Sequence, residues 1–337
     1  MSAVVDVHTR ISAGRPVERN PLPVPFGWFF VAYSEELKPG ELRNVQYFGQ
    51  EWVQFRTEQG AVGMVDPYCP HLGAHIGCGG KVEGESIRCP FHHWAYNTQG
   101  WCTSIPYAKV MPPIVKREPI LRALPTCEQQ GIVWAWYHPK GAPPAWQVPI
   151  VAELSDPDFI TPQRGAWPVN TFIQELGENG VDFAHLKFLH HTPIIPTGES
   201  WPEGVRWHTN INNGSIVIEH TGPGLQIVIF KRGPAETTMV SYPSPVTKDR
   251  TIMRMSLTHR KYPEGSPERQ LAANMIQEQV GQGVGAEAGF ESVDMLVWNN
   301  KLYRPRPLLC DGDGQILAWR RYFSQFYIMD NPPEESA

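Results

Sequence analysis

Residues 51–66, EWVQFRTEQGAVGMVD, alternate Val53 and Phe55 with Gln54 and Arg56, break at Glu58-Gln59-Gly60, and resume with Val62 and Met64. Alternation of period two on both sides of a polar turn predicts a β-hairpin. The same reasoning applies to SIVIEHTGPGLQIVIF (215–230), two β-branched runs around Gly-Pro-Gly, and to TIMRMSLTHR (251–260). TFIQELGENGVDFAHLKFLH (171–190) has mixed helical character instead, and a helical stretch is expected over about 267–301. Strands followed by one long helix predict an α+β unit whose helix packs across a curved antiparallel sheet. Upstream, short strands and loops predict an all-β unit. The proline cluster HPKGAPPAWQVP (138–149) can continue neither a helix nor a central strand and reads as a connection. The expected division is a tail over 1–24, a first domain over 25–150, a second over 151–330, and a tail over 331–337.

Composition supports this organisation. The chain has 337 residues, enough for two ordinary domains, and its 33 prolines are roughly double the usual ~5% share, which favours β-rich architecture over a helical bundle. The 29 basic and 34 acidic side chains leave a formal charge of -5, so nothing recommends a nucleic-acid backbone or an anionic membrane as partner. No run of about 18 apolar residues occurs, and the first twenty residues lack a signal-peptide pattern, so a soluble, cytoplasmic protein is expected. Six cysteines are too sparse for a disulfide scaffold, and in a reducing compartment a close Cys/His cluster is better suited to metal.

Such a cluster exists. Cys69-x-His71 is followed, after seventeen residues, by Cys89-x2-His92, each half offering one thiolate and one imidazole. Structural zinc also accepts two Cys and two His, but its modules usually pair Cys with Cys across a short knuckle. A [2Fe–2S] cluster of Rieske type takes two thiolates on one iron and two imidazoles on the other, which two similar loops supply naturally. Gly73, Gly77, Gly79 and Gly80 suit tight loops whose N–H groups can face cluster sulfurs. His75 and His93 fall outside the paired spacing and read as spare imidazoles.

CPHLGAH and CPFHHW resemble the Rieske iron–sulfur family. The respiratory kind carries a further cysteine in each loop, where this chain has Ala74 and Phe91, so the resemblance is to the soluble oxygenase kind. In that kind the second loop commonly has glycine where His93 stands. A Rieske cluster passes single electrons and its iron is coordinatively saturated, so an oxygenase needs a second metal. Asn179-x2-Asp182-x2-His185-x4-His190 matches the family's mononuclear-iron motif. Residues five apart on an unbroken helix point about 140° apart, so the helix must end or distort between His185 and His190 for both to share one ion.

The resemblance implies one further carboxylate, from FESVDMLVWNN (290–300). It favours Asp294 over Glu291, although Glu287, Glu291, Asp294 and Trp298 also recur at helical spacing, as a solvated face would. It also implies that Asp182 links His185 to His92 of a neighbouring subunit in a head-to-tail homotrimer, helix N-capping being the alternative. Over its second half the chain looks most like 3-ketosteroid 9α-hydroxylase oxygenases and cholesterol 7-desaturases. That implies a Rieske domain, a helix-grip (START-like) catalytic domain, mononuclear Fe(II), O2, an apolar substrate of steroid kind, and electrons from a separate reductase or ferredoxin. Hydroxylation, desaturation and O-demethylation of a smaller aromatic substrate share all these residues. Trp207, Met239, Met253 and Met255 are candidates to line the substrate pocket. Lys81, Arg88, Lys109, Lys116 and Arg117 are candidates to meet an acidic electron donor. GVGAEA (283–288) fits a loose dinucleotide fingerprint but follows no strand. An electron carrier without a second iron and a lipid-binding module are the readings from other classes.

Overall fold

A computed structural model describes residues 19–281 and 293–329. The first region holds β1 (Gly27–Tyr33), β2 (Leu42–Tyr47), β3 (Gln50–Arg56), β4 (Val62–Val65), β5 (Lys81–Glu83), β6 (Ser86–Arg88), β7 (Ala95–Asn97), β8 (Cys102–Ser104), β9 (Ala123–Leu124), β10 (Thr126–Gln129) and β11 (Ile132–Tyr137). They form three antiparallel sheets, ordered β1-β11-β10, β2-β3-β4-β9 and β5-β6-β7-β8. The hairpin expected over 51–66 is β3–β4.

β1 and β11 are apolar on both faces for a reason visible in their neighbours. Successive side chains of a strand point to opposite faces. Phe29 and Val31 of β1, with Val133, Ala135 and Tyr137 of β11, enter one core. Trp28 and Phe30, with Ile132, Trp134 and Trp136, enter another, shared with Leu225, Val240 and Tyr242 of the second region. The two regions therefore pack directly on each other.

The second region contains β12 (Gln163–Val169), α1 (Ile173–Glu178), α2 (Phe183–Phe188), β13 (Gly198–Glu203), β14 (Arg206–Ile211), β15 (Ile216–Thr221), β16 (Gln226–Arg232), β17 (Ala235–Thr247), β18 (Arg250–His259), α3 (Pro267–Gly281), α4 (Val293–Asn300) and α5 (Ile316–Ser324). Its seven-stranded antiparallel sheet is a meander from β13 to β18, with β12 added beyond β18. The runs at 215–230 and 251–260 are β15–β16 and β18, as expected.

β17 tolerates Pro243 and Pro245 because β16 stops pairing with it at Ser241, leaving the prolines on an extension bonded to β18. That extension reaches the first region, where the N–H groups of Phe48 and Gly49 donate to the carbonyls of Pro245 (2.9 Å) and Val246 (2.8 Å).

α3 lies on the sheet through Ala272, Met275 and Ile276, which meet Ala235 and Leu257. The helix expected over 267–301 is present as α3 and α4; the residues between them, including Glu291 and the GVGAEA segment, lie outside the described residues. α5 buries Ile316, Trp319, Tyr322 and Phe323, an i, i+3, i+6, i+7 stripe, into the core that also holds Phe29 and Tyr137. α1 can approach α5 only because residue 177 is glycine: a Cβ there would lie 2.4 Å from the Trp319 ring. Among the described residues no helix is long and apolar enough to cross a membrane, and all six cysteines are free of disulfides.

Candidate metal centres

The two Cys/His loops close by the same pair of hydrogen bonds. In the first, Cys69 N donates to Ala74 O (2.9 Å) and Gly73 N to Cys69 O (2.9 Å). In the second, Cys89 N donates to Trp94 O (2.9 Å) and His93 N to Cys89 O (3.1 Å). The turn needs a left-handed residue at its fourth step, and Gly73 (φ 75°) and His93 (φ 59°) both supply it. His93 thus adopts the conformation glycine would favour, and its exposed ring stands outside the cluster of donors.

The donors converge between the loops. Cys69 and Cys89 are each 2% exposed, and the His71 and His92 rings lie 4.9 Å apart. His71 stacks on Trp94, with centroids 4.6 Å apart, and Trp94 Nε1 donates to Tyr107 Oη (2.9 Å). His92 Nδ1 is buried without a hydrogen-bond partner, an orphan that a metal would satisfy. Burial pushes the Cys69 thiol up, and the neighbouring Cys89 adds to the shift. Two thiolates in this dry space require a cationic centre, so the four donors fit a [2Fe–2S] cluster. Tyr96, whose hydroxyl sits 3.1 Å from Cys69 Sγ, escaped sequence reasoning because a lone tyrosine on a strand carries no local signature.

The second donor set is assembled from two helices and their ends. α1 stops at Asn179, and Asp182 caps α2 by accepting from His185 N (3.3 Å). α2 ends at Phe188, before His190, and His191 turns the chain with φ 59°, so the expected break is present. His185 Nδ1 bonds the carbonyl oxygen of Asp182, leaving Nε2 free. Donor atoms of His185, His190 and Asp294 lie within 4.8 Å of one another. Asp294, on α4, has its Oδ2 3.1 Å from His190 Nε2, and its Oδ1 accepts from Asn179 Nδ2 (3.0 Å). Two imidazoles and one carboxylate on one side of a cavity suit ferrous iron with open positions opposite. Asp182 serves here as the helix cap: within this chain its carboxylate accepts from the His185 N–H, and the His185 ring bonds its carbonyl oxygen instead.

Behind this set lies a charged cluster that sequence reasoning missed. Glu175 is wholly buried, its carboxyl pushed up by burial and drawn back by Lys301, which ion-pairs with it. Lys301 also lies 3.8 Å from Glu178, and Arg320 forks onto Glu178 at 2.7 and 2.9 Å. Lys301 directly follows α4, so these pairs tie the helix bearing Asp294 to the one leading to Asn179. Arg19 adds bonds to the carbonyls of Trp298 (3.1 Å) and Lys301 (2.9 Å). The available signal was two acids inside the otherwise apolar segment around QELGE, which need partners if buried.

A cavity of about 220 Å³ adjoins His185, His190 and Asp294. Met239, Met253 and Met255 line it as expected, with Trp167, Ile218 and Trp298. Trp207 does not. It is 1% exposed, packs edge-on to Trp319 at 5.5 Å and donates to Thr209 (3.1 Å), because its place on β14 points it into the α5 core. Larger hollows of about 570 Å³ beside Thr126 and about 620 Å³ beside Arg254 are lined by none of the residues of either donor set. Of the five candidate docking cations, Lys81, Lys109, Lys116 and Arg117 are exposed, whereas Arg88 is engaged by Glu83 and the His93 carbonyl.

Two donor sets of these kinds, on a β-rich Rieske region followed by a sheet-rich region, define a Rieske non-heme iron oxygenase. Residues 27–119 match the Rieske [2Fe-2S] domain family, and residues 135–327, over half of the chain, match the 3-ketosteroid 9alpha-hydroxylase C-terminal domain family; the chain belongs to that family. A cholesterol 7-desaturase of Xenopus laevis is 33% identical over 91% of this chain and 73% of its own length. The oxygenase component of a 3-ketosteroid-9-alpha-monooxygenase of Rhodococcus rhodochrous is 30% identical over 93% of this chain and 84% of its own. The fold is shared with dicamba monooxygenase, whose crystal structure bound to dicamba superimposes with a TM-score of 0.66 at 16% identity, covering 90% of this chain and 98% of that one.

Proposed function

We propose that this chain is the terminal oxygenase of a system that oxidises a steroid or sterol, with the division between its cluster-binding and catalytic domains near residue 150. The observation that carries the proposal is the juxtaposition of His185, His190 and Asp294 with a cavity walled by methionine, tryptophan and aliphatic side chains. Such a wall holds a rigid apolar body by burial and offers few competing polar contacts. In this reading Cys69, His71, Cys89 and His92 hold the [2Fe–2S] cluster, and His185, His190 and Asp294 hold Fe(II). The cluster supplies electrons one at a time, and the ferrous ion supplies open positions for dioxygen. Asn179 fixes the orientation of Asp294, while the Asp182 carbonyl fixes the tautomer of His185 and directs Nε2 to the ion.

A cytoplasmic homotrimer completes this reading, with the Asp182 carboxylate meeting His92 of a neighbouring copy. Its support is the pair of apolar surfaces that would meet: Tyr68, Leu72, Phe91 and Tyr107 are exposed around the cluster loops, and Phe188 and Leu309 on the Asp182 side. Electrons then come from a separate reductase or ferredoxin, for which Lys81, Lys109, Lys116 and Arg117 offer positive charge. Hydroxylation and desaturation are both served by these residues, and the 33% identical desaturase gives the second reading its weight. The deciding experiment supplies a generic reductase and labelled dioxygen with a 3-ketosteroid and with cholesterol. Label retained in product marks a hydroxylase, and a new C=C bond without label marks a desaturase. Absence of oxygen uptake stimulated by either compound would remove the steroid and sterol reading.

A further inference from the structure

Apart from the donor groups and Asn179, the lining of the cavity holds only two side-chain amides among the described residues, Gln226 and Gln279. Gln226 stands on β16 directly opposite His220 on β15. Directly opposed residues share a face with their Cβ atoms about 5 Å apart, close enough for side chains to meet. The Gln226 amide nitrogen and His220 Nε2 lie 3.3 Å apart.

His220 is 6% exposed, lies against Trp319 at 4.6 Å, and is covered by the backbone of Gly177 and Gly180. Burial pushes its pKa down to about 3, so the ring is neutral and Nε2 can accept from the amide. One end of the glutamine is thereby fixed. Its Oε1 has no protein partner among the described residues, at the α1 end of an apolar space.

Gln279 occupies the other end of the same wall. Its Nε2 donates to Thr237 Oγ1 (3.3 Å) while its Oε1 is buried without a partner among the described residues, and Thr237 pairs with Phe230, four residues along β16 from Gln226. At about 3.3 Å per residue the two ends of this wall are roughly 13 Å apart. Val228 and Met239 lie between them.

We propose that Gln226, held by His220, is a specificity residue that accepts a hydrogen bond from the hydroxyl of an otherwise apolar polycyclic alcohol. This deepens the steroid and sterol reading and rests on it. A fixed amide oxygen facing a dry cavity discriminates because a deoxy ligand leaves it unpaired, a loss of about 1–3 kcal/mol, or roughly ten- to hundredfold in affinity.

The test measures equilibrium binding to the intact, metal-loaded protein of three probes: androstan-3-ol, androstan-17-ol and the parent androstane. The wild type should bind at least one alcohol roughly ten- to hundredfold more tightly than androstane. Gln226→Met, nearly isosteric, should erase that preference while keeping androstane affinity and iron content, and Gln279→Met should retain it. A preference that survives Gln226→Met, or one abolished by Gln279→Met instead, overturns the assignment to Gln226. Equal wild-type affinity for all three probes overturns the inference and leaves the apolar-substrate reading standing. Failure of all three to bind sinks that reading and this inference with it.

Discussion

In the cluster-binding region both halves of the donor set are closed by bonds within their own loops: each cysteine N–H reaches across five residues, and the next turn returns to the cysteine carbonyl. In the catalytic region His190 and Asp294 are 104 residues apart, and what brings them together is a set of ion pairs and caps between α1, α4, α5 and Arg19. The first site is local and rests on turn chemistry. The second is tertiary and rests on buried charge, so the two should fail in different ways.

The sharpest way to break the symmetry is to remove one donor from the second site. His190→Ala or Asp294→Ala should abolish turnover and lower iron from about three to about two per chain, with acid-labile sulfide and the cluster spectrum unchanged. Parallel loss of sulfide would mean that the two sites are not independent. A next test leaves every donor in place. Lys301→Met removes the nearer of the two cations beside Glu175, leaving Arg320 at 3.9 Å, and should cost about 2 kcal/mol, since the buried carboxylate loses its main compensation. Iron retention should fall with it while cluster content holds, as metal analysis across a denaturant series will read.

Asp182→Ala removes the α2 cap and should lower stability by about 1 kcal/mol in chemical denaturation. If Asp182 also makes the proposed contact with a neighbouring copy, turnover should fall much further than that loss explains; a variant with full turnover would remove the bridging role. In the other region His93→Gly should be nearly neutral or stabilising by up to about 1 kcal/mol, by relieving a side chain held at φ 59°. The cluster spectrum should not change, and a changed one would make His93 more than a turn residue.

The smallest contrast is in pH dependence. Arg56 forks onto Glu128 at 2.8 and 2.9 Å and holds its carboxyl below the usual range. That stabilisation is complete above the unfolded carboxyl value of about 4.3 and is lost as pH falls through the lower folded value. Glu175 is shifted the opposite way, upward by burial. The folded state then holds its proton more tightly, so stability falls as pH rises from about 4.3 through the raised folded value. Thermal unfolding of Glu128→Gln and Glu175→Gln across that range should flatten slopes of opposite sign.

The same contrast governs what could be read in advance. The Cys/His loops, the hairpins β3–β4 and β15–β16, and the stop in α2 before His190 were legible because each depends on residues close in sequence: turn formers, alternation, and the 3.6-residue helical repeat. The place of His93 was half legible, since only the backbone angle shows that it does the work of a glycine. Trp207 was misplaced because alternation says which residues share a face but not which face meets the cavity.

By itself, then, the sequence determined the kinds of donor this protein presents and the local frames that hold them: paired thiols and imidazoles on two turns, and a polar quartet interrupting a short helix. Only the tertiary structure shows that Asp294 comes within reach of His185 and His190, which charges are buried behind them, and that Gln226 faces the cavity. The physical reason is range. Turns and helix ends are fixed by bonds spanning a few residues, whereas a shared ion, a buried ion pair and a cavity wall exist only where the packing of distant segments brings their side chains together.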